Sequence, residues 1–278
     1  VLTFTPAFPS SGYAAVDLPL KLYGQKQFCT LANDWFYDSS AQRLYIKTTS
    51  TPAGSDIRIG IRDFAFSIGV TDISFSDLTF KHYYTEAIYG DGADNLTISN
   101  CTFQDIRTSG IYDIGDGDAN ISITDSTFER IGFNGIFLAA TVATTIENNT
   151  IDEIDMQANL GWPLSERPDG AAGGCAIVFQ RLLSPGRNSS DAVIRYNTIT
   201  NIGYVGVLLI GPGHTVEYNR LSGLCLSLND GGAIHSFSRS DLGPLTQNLS
   251  IRYNVIDNVV GNVDGIAGSG TATVRRAE

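Results

Sequence analysis

The stretch Ile73-Ser74-Phe75-Ser76-Asp77-Leu78-Thr79-Phe80 recurs along this chain with the same alternation of apolar and polar residues. Its next copies are Leu96-Thr97-Ile98-Ser99-Asn100-Cys101-Thr102-Phe103, Ile121-Ser122-Ile123-Thr124-Asp125-Ser126-Thr127-Phe128 and Thr144-Thr145-Ile146-Glu147-Asn148-Asn149-Thr150-Ile151. Shorter copies follow at 194–199, 216–221 and 249–256. Phe75, Ile98, Ile123 and Ile146 are 23, 25 and 23 residues apart. A fixed period of this size, built from short alternating segments, predicts a solenoid with one supersecondary unit per repeat.

Each repeat contains two short strands joined by a two-residue corner, followed by a third strand of the pattern Gly/Ala-Ile-aromatic. These third strands are Ala87-Ile88-Tyr89, Gly110-Ile111-Tyr112, Gly135-Ile136-Phe137, Ala176-Ile177-Val178, Gly206-Val207-Leu208, Ala233-Ile234-His235 and Gly265-Ile266-Ala267. Period-two alternation places the β-branched residue inside and its neighbours outside. Because no segment shows helical periodicity, the sequence predicts an all-β stack of parallel coils rather than a helical repeat.

The second corner position predicts a hydrogen-bonded ladder inside the stack. It holds Leu78, Cys101, Ser126, Asn149, Asn197, Asn219 and Asn254 in successive repeats. Parallel stacking would place the four Asn side chains ~4.8 Å apart, within reach of one another's amides. We therefore expect these Asn residues to support the scaffold, and Cys101 to be a buried thiol.

Two regions are predicted from the layout of the repeats. Residues 1–61 lack the repeat, and Trp35-Phe36-Tyr37-Asp38 with Arg43-Leu44-Tyr45-Ile46-Lys47 indicates a β-hairpin that caps the first coil. Residues 62–278 are predicted to form one continuous solenoid. After Gly265-Ile266-Ala267 no closing element is recognisable, so we expect a truncated last coil, or one covered by a partner subunit through self-association.

Charge and cysteine content restrict the partners. The net charge of −11 disfavours nucleic acid and anionic membrane surfaces, and disfavours a polyanionic substrate unless calcium intervenes. The four cysteines form no CxxC pair and have no His partner at metal-binding spacing; a Cys175–Cys225 bridge is left open. No apolar run approaches the length of a membrane span.

The repeat is interrupted twice, and both interruptions adjoin a third strand. The first covers residues 155–174 and contains Trp162, Arg167 and Asp169. The second lies on both sides of Ala233-Ile234-His235, at 224–231 and 236–247. Insertions in solenoids collect on the binding face, which favours a functional reading over neutral drift of surface loops.

An outward row along the third strands is predicted to bind sugar. The row consists of Tyr89, Tyr112, Phe137, Val178, Leu208 and His235. Aromatic rings in a shallow groove suit the apolar faces of sugars, and we assign this role to Tyr89 and Tyr112. For Phe137, Val178 and Leu208 we expect burial under the 155–174 segment instead. Trp162, Asp113, Arg167 and Arg239 complete the predicted substrate-binding set.

Carboxylates near this row are candidate catalysts. Asp230 precedes two glycines and the strand of His235, and Asp169 and Asp264 could approach it from neighbouring segments. A glycosidase needs two carboxyl groups ~5 Å apart for retention or ~6.5–9.5 Å apart for inversion, and adjacent coils supply such separations. The competing interpretation of Asp230 is a plain Asp-Gly turn without chemistry.

A second acidic group suggests either calcium or solvent-exposed turns. Asp91-Gly92-Ala93-Asp94 and Asp116-Gly117-Asp118 occupy the same turn in adjacent coils. Asp91, Asp116 and Asp118 could hold Ca²⁺, because stacked carboxylates repel unless a cation intervenes. Turns open to solvent are the favoured alternative. No other cofactor is predicted.

Beyond these patterns, residues 62–267 resemble the right-handed parallel β-helix proteins of the pectate-lyase-like superfamily, most closely bacterial β-helical glycoside hydrolases. The resemblance is carried by the hairpin at Trp35–Ile46, by Arg62-Asp63-Phe64 through Phe80, and by Asp230-Gly231-Gly232-Ala233-Ile234-His235. It implies a single-stranded right-handed β-helix, a catalytic carboxylate at Asp230, and a secreted, extracellular or periplasmic bacterial protein that acts on a polysaccharide or oligosaccharide. His235 departs from the family's usual aromatic residue, and the acid-bearing strand expected one coil later is absent.

Three function classes stay open at this stage. The first is a glycoside hydrolase with carboxylate acid/base chemistry. The second is a polysaccharide lyase or uronate epimerase, for which His235, Arg239, Arg167 and Tyr112 offer bases and charge neutralisation. The third is a glycan-binding or adhesin module without catalysis.

Overall fold

The structure, a computed structural model, describes residues 35–38, 40–47, 49, 60–115, 117–156, 174–180, 187–227, 231–236 and 246–260. Strands β1 (Trp35–Asp38) and β2 (Arg43–Ile46) pair antiparallel, with Trp35 opposite Ile46, which confirms the predicted hairpin. The hairpin belongs to one compact unit and the coils from Gly60 onward to another. Whether the hairpin caps the first coil stays a prediction, as does the boundary between the two predicted regions.

The coils form a right-handed parallel β-helix whose described strands make three sheets of seven strands each. The first sheet contains β4 (Ser74–Ser76), β7 (Thr97–Ser99), β10 (Ser122–Thr124), β13 (Thr145–Glu147), β16 (Val193–Arg195), β19 (Thr215–Glu217) and β22 (Ser250–Arg252). The second contains β5 (Thr79–Lys81), β8 (Thr102–Ile106), β11 (Thr127–Ile131), β14 (Thr150–Ile154), β17 (Thr198–Ile202), β20 (Arg220–Leu224) and β23 (Val255–Val259). The third contains β3 (Phe66–Ile68), β6 (Ile88–Gly90), β9 (Ser109–Asp113), β12 (Asn134–Ala139), β15 (Ile177–Gln180), β18 (Val207–Leu209) and β21 (Ile234–Ser236).

Each strand pairs in parallel with its equivalent one coil away, so the repeat period becomes the register. Ile123 pairs with Ile98 on one side and Ile146 on the other, and all three are fully buried. Inside the coils, Phe103 stacks on Phe80 and on Phe128 with ring centroids 4.8 and 4.6 Å apart. The core therefore runs as continuous columns of like residues, and the predicted all-β parallel stack is confirmed.

The predicted asparagine ladder is present at the corner between the first and second sheets. Asn149 Nδ2 donates to Asn197 Oδ1 at 3.0 Å, Asn197 Nδ2 to Asn219 Oδ1 at 2.9 Å, and Asn219 Nδ2 to Asn254 Oδ1 at 3.0 Å. The backbone N–H of Asn149 also donates to Asn197 Oδ1, at 2.9 Å. Buried amides are thereby satisfied without water. Cys101 continues the column as the predicted buried free thiol.

The residue before each ladder position lies in the left-handed backbone region, with φ between 50° and 59° in all seven coils. The first four coils carry Asp77, Asn100, Asp125 and Asn148 there, and the last three carry Tyr196, Tyr218 and Tyr253. Asn and Asp tolerate this conformation, whereas a bulky residue is an outlier. We call the three aromatic residues the tyrosine column.

The tyrosine column costs more stability than its stacking returns. A non-glycine residue held in this region costs about 1–3 kcal/mol, which gives about 3–9 kcal/mol for three tyrosines. Tyr196 stacks on Tyr218 with ring centroids 5.3 Å apart, and Tyr218 stacks on Tyr253 at 5.0 Å. Two such pairs return about 1–3 kcal/mol beyond their burial. Folding stability alone therefore favours Asn or Asp at these positions.

Candidate functional site

The long connections of the fold gather around two strands of the third sheet. First-to-second corners are always two residues long. Within the coils, from β3 to β23, the four longest connections between described strands are 155–176 and 181–192, which flank β15, and 225–233 and 237–249, which flank β21. The outer face of the third sheet at β15, β18 and β21 is therefore the candidate functional site.

Half of the residues predicted for catalysis and substrate binding belong to these connections. Trp162, Arg167 and Asp169 lie in the first, Asp230 in the third and Arg239 in the fourth. Together with Asp264 these residues lie outside the described part of the chain. Their assigned roles stay predictions.

Of the residues predicted for the site near β21, His235 lies within the described part of the chain. It pairs in register with Leu208, which in turn pairs with Val178, so the three side chains form one outward row. Val178 and Leu208 are buried, whereas His235 is half-buried. The row is therefore apolar up to β21, where an imidazole takes its place at the partly open end.

The backbone that leads into β21 is packed closely against a tyrosine. A Cβ at Gly231 would lie 2.7 Å from Cε2 of Tyr204 and 3.1 Å from Cγ2 of Val205. Real Cβ atoms do not approach ring carbons so closely, so only glycine fits at position 231. Tyr204 thus restricts the backbone path at Gly231, the residue that follows Asp230 in the chain.

The N-terminal part of the same outer row is aromatic and mostly covered. Tyr112 stacks on Tyr89 with centroids 6.1 Å apart and on Phe137 at 4.6 Å. Tyr112 and Phe137 are buried and Tyr89 is half-buried. Tyr112 was expected to be exposed for sugar binding. The structure corrects this expectation, because Tyr89 and Phe137 occupy its two ring faces. The burial expected for Phe137, Val178 and Leu208 is observed.

Tyr89 and Tyr112 are also far from His235 along the coil axis. Five strand spacings separate β6 from β21 and four separate β9 from β21, which corresponds to roughly 24 and 19 Å. A single sugar residue beside His235 could not contact either tyrosine. The structure therefore does not bring these predicted binding residues together with β21.

Asp113 points into the coil rather than into the groove. It pairs in register with Leu138, a residue of the buried core, and with Gly90 on the other side. A Cβ at Gly90 would collide with Oδ1 of Asp113, so the glycine makes room for the carboxyl group. The predicted role of Asp113 in substrate binding is wrong in this geometry, because the side chain is fully buried.

The acidic turns hold the backbone of neighbouring coils. Asp118 Oδ2 accepts hydrogen bonds from the N–H groups of Gly92 at 3.0 Å and Ala93 at 2.6 Å, and Asp94 Oδ1 accepts one from the N–H of Ala119 at 2.6 Å. Asp91 is exposed and Asp116 lies outside the described residues. Among the described residues no group of three His, Cys, Asp or Glu side chains is arranged to hold a metal ion. The carboxylate of Asp118 thus holds the turn, and the predicted calcium set, which includes Asp116, stays a prediction.

Glu86 is a buried carboxyl group of the third sheet that the sequence analysis missed. It precedes β6, and its Oε1 accepts a hydrogen bond from Oγ1 of Thr108 at 3.1 Å. Burial raises the pKa of Glu86, while hydrogen bonds from Thr85 and Thr108 lower it in part. Adjacent coils place Ser109 and Asn134 in register with it. The sequence did carry a signal for this site: Glu86 is charged, whereas the residues in register with it, Ser109 and Asn134, are small and neutral.

The described cysteines and the remaining histidines are structural. Cys175 and Cys225 are buried thiols that are not bonded to each other, so the bridge left open above does not form, and burial raises the pKa of Cys225 to about 11. His214 is fully buried, with Nδ1 accepting the N–H of Ala192 at 3.2 Å. His82 lies at a corner, its Nδ1 4.0 Å from Asp105 Oδ2. No helix of the described chain has the length and hydropathy needed to cross a membrane.

Comparison with known proteins agrees with this architecture. A family model described as "Right handed beta helix region" matches residues 64–276. No curated protein matches the chain, and no solved structure does.

Proposed function

Because the chain belongs to the right-handed β-helix family, which supports a fold of the carbohydrate-active, pectate-lyase-like kind, we propose that it is a glycoside hydrolase acting on a polysaccharide or oligosaccharide. The reaction takes place on the outer face of the third sheet at β15, β18 and β21. Asp230 is one carboxyl catalyst. His235, which follows Asp230 by five residues in the chain, binds or orients the substrate.

The observation that carries this proposal is the placement of the four longest connections. Within the coils, from β3 to β23, they begin or end at β15 and β21 and at no other strand of the third sheet. Strands β15 and β21 are two spacings apart, roughly 10 Å, which suits a short stretch of a glycan chain. Every other connection within the coils is two to eight residues long, so the scaffold does not need these longer segments, and binding and catalysis are their natural use.

Hydrolysis at this site needs a second carboxyl group. Asp169, on the connection before β15, and Asp264, beyond the last described strand, are the chain's own candidates. One carboxyl group protonates the leaving oxygen while the other attacks the sugar or activates water. The separation of the two groups determines whether the anomeric configuration is retained or inverted.

A glycan panel tests the proposal directly. We expect the protein to release reducing sugar from at least one substrate, and Asp230→Asn to lower turnover by at least about 10³-fold while the melting temperature is unchanged. Asp125→Asn, an exposed acidic corner far from β21, is the matched control and should keep full activity. Unchanged turnover of Asp230→Asn would remove Asp230 from the mechanism.

A polysaccharide lyase is the second candidate, and the half-buried imidazole of His235 at the open end of the row favours it. His235 would then act as the base that removes a proton next to a uronate carboxylate. The product would be unsaturated and would absorb in the ultraviolet, which hydrolysis products do not. Absorbance recorded beside reducing-sugar release distinguishes the two reactions. If neither signal is detected, the result indicates a binding module without catalysis.

A further inference from the structure

The tyrosine column is exposed to solvent although it is stacked. Tyr196, Tyr218 and Tyr253 keep 48%, 45% and 67% of their surface accessible. They lie at the corner between the first and second sheets, so they belong to a different face from the third-sheet site. The guanidinium carbons of Arg195 and Arg252 lie 5.7 and 5.9 Å from the ring centroids of Tyr196 and Tyr253, yet about half or more of each tyrosine stays open to solvent. Bulky side chains held in the left-handed region and left this exposed point to a function other than folding.

The stacked arrangement determines which chemistry the column offers. Parallel rings 5.0–5.3 Å apart, inclined by 13–14°, turn their faces towards one another. The outward surface therefore consists of ring edges and phenol hydroxyl groups, repeated once per coil. Ring edges carry partial positive charge and attract oxygen atoms, and each hydroxyl group can donate and accept a hydrogen bond. The column suits an oxygen-rich, extended ligand with a repeat close to one coil.

A row of alternating charges runs beside the column. Glu147, Arg195, Glu217 and Arg252 pair in register along the first sheet. Arg195 binds Glu147 at 2.9 Å and Arg252 binds Glu217 at 2.7 Å. The row sums to zero, so it offers no net charge to a polyanion or a polycation and suits an uncharged ligand, and the net charge of −11 further disfavours a polyanion. Guanidinium and carboxylate groups also supply hydrogen bonds to hydroxyl groups.

The size of the surface argues against a second copy of the chain as the occupant. Three tyrosines, each about half exposed, present roughly 300 Å². A stable protein–protein interface buries about 800 Å² on each partner. Neighbouring coils are ~5 Å apart, which is close to the advance per sugar residue of an extended glycan. One sugar residue can therefore lie against each tyrosine of the column.

We propose that Tyr196, Tyr218 and Tyr253 form a binding strip for a neutral glycan chain, with one sugar residue per coil and the chain running along the coil axis. The strip is separate from the proposed catalytic face and binds without turnover. It holds a polymer on the protein surface through contacts to ring edges, phenol hydroxyl groups and the neighbouring charged row. The proposal does not require the third-sheet site to be a hydrolase.

Affinity electrophoresis in gels containing glucomannan, mixed-linkage β-glucan or xyloglucan tests the strip, with polygalacturonate as the charged comparison. Tyr218→Asn replaces the central ring with a residue that tolerates positive φ. The fold is therefore kept, and the melting temperature stays equal or rises. The triple variant Tyr196→Asn, Tyr218→Asn, Tyr253→Asn removes the column. Tyr84→Asn is the matched control, because Tyr84 is also 48% exposed but lies off the column.

We expect the wild type and Tyr84→Asn to be retarded equally in at least one neutral gel. Tyr218→Asn should bind about tenfold more weakly, and the triple variant should not be retarded. Three results would overturn the proposal: no retardation in any neutral gel, equal retardation of the triple variant, or retardation by polygalacturonate alone. Sedimentation that shows self-association of the wild type, lost in the triple variant, would instead make a second copy the occupant. Asp230→Asn is expected to bind normally, so loss of hydrolysis and loss of this strip are separate outcomes.

Discussion

The carboxyl group of Asp113 lies in hydrogen-bonding contact with the carboxyl group of Asp118, and both side chains are buried. Among the described residues no N–H or hydroxyl group donates to Oδ2 of Asp113. Two carboxyl groups can bond only if one of them holds a proton. Burial raises the pKa of Asp113 well above its ordinary value, and the negative charge of Asp118 raises it further. The folded chain therefore keeps a proton that the unfolded chain releases.

The first prediction concerns the pH dependence that follows from this pair. The contribution of Asp113 to stability is fully present below its ordinary pKa of about 3.9 and is lost as the pH rises through its folded-state pKa. Asp113→Asn should remove this loss, because an amide stays neutral and can donate to Asp118. Urea unfolding should show the variant gaining stability over the wild type between acidic and neutral pH.

Asp125→Asn at an exposed corner is the control for that series, and it should keep the wild-type pH dependence. If the difference in unfolding free energy between Asp113→Asn and the wild type is constant from pH 4 to pH 7, the shared proton is refuted.

The second prediction concerns His214, which shifts stability in the opposite direction. Burial lowers the pKa of His214 to about 4. Between that value and about 6.5 the unfolded chain binds a proton that the folded chain excludes, so stability is present above pH 6.5 and falls as the pH decreases. The full loss is about 3 kcal/mol, at about 1.4 kcal/mol per pKa unit.

His214→Phe should abolish that acid-side loss in urea titrations. The ring of His214 packs 5.1 Å from the ring of Phe179, so an aromatic replacement keeps the contact. The variant should be less stable at pH 7, because the N–H of Ala192 loses its acceptor. His82→Gln, at a half-buried corner, is the control and should keep the acid-side loss. An unchanged loss in His214→Phe would contradict the assignment.

The third prediction concerns the asparagine ladder. Asn197 accepts two hydrogen bonds from Asn149 and donates to the carbonyl of Ile146 at 2.9 Å as well as to Asn219. Asn197→Ala should lower the free energy of unfolding by about 3 kcal/mol, because buried donors and acceptors on both sides are left unpaired. The exposed neighbour Thr198→Ala should change it little. Equal effects of the two substitutions would show that the ladder does not stabilise the coils.

The fourth prediction concerns the acidic turns and calcium. Asp118→Ala should lower the free energy of unfolding by about 3 kcal/mol, because the N–H groups of Gly92 and Ala93 lose their acceptor. Excess chelator should leave the melting temperature of the wild type unchanged, since Asp118 is engaged by the backbone. A fall in melting temperature on chelation, reversed by added Ca²⁺, would restore the calcium interpretation.

Several features of this protein follow from the sequence because they depend on residues close together in the chain. The alternation around Phe75 and its copies predicts strands, the period predicts parallel stacking, and recurrence of Asn at one corner predicts the ladder. Each of these is a local pattern repeated many times, so an irregular copy in one coil does not obscure the pattern that the other coils share. The predicted burial of Phe137, Val178 and Leu208 followed from the long insertion at 155–174 next to their strands.

Other features depend on which surfaces meet, and only the tertiary structure decided them. Tyr112 was expected to be open to a sugar, but its ring is closed in by Tyr89 and Phe137. Asp113 was expected in the groove, but its register with Leu138 turns it inward. Asp118 was expected at an acidic turn, but only the packing of the coils shows that it accepts hydrogen bonds from Gly92 and Ala93. Alternation gives the two sides of a strand, but it does not tell which of them a neighbouring segment will cover.

The amino-acid sequence by itself determined that the coils are β-strands, that they stack in parallel, and that Asn side chains form a ladder at the corner, because short-range periodicity and residue type are sufficient for each. Tertiary structure alone decided that burial next to Asp118 raises the pKa of Asp113 and that three tyrosines in the left-handed region form an exposed column. Those properties arise between coils, where burial and charge are set by residues more than twenty positions apart.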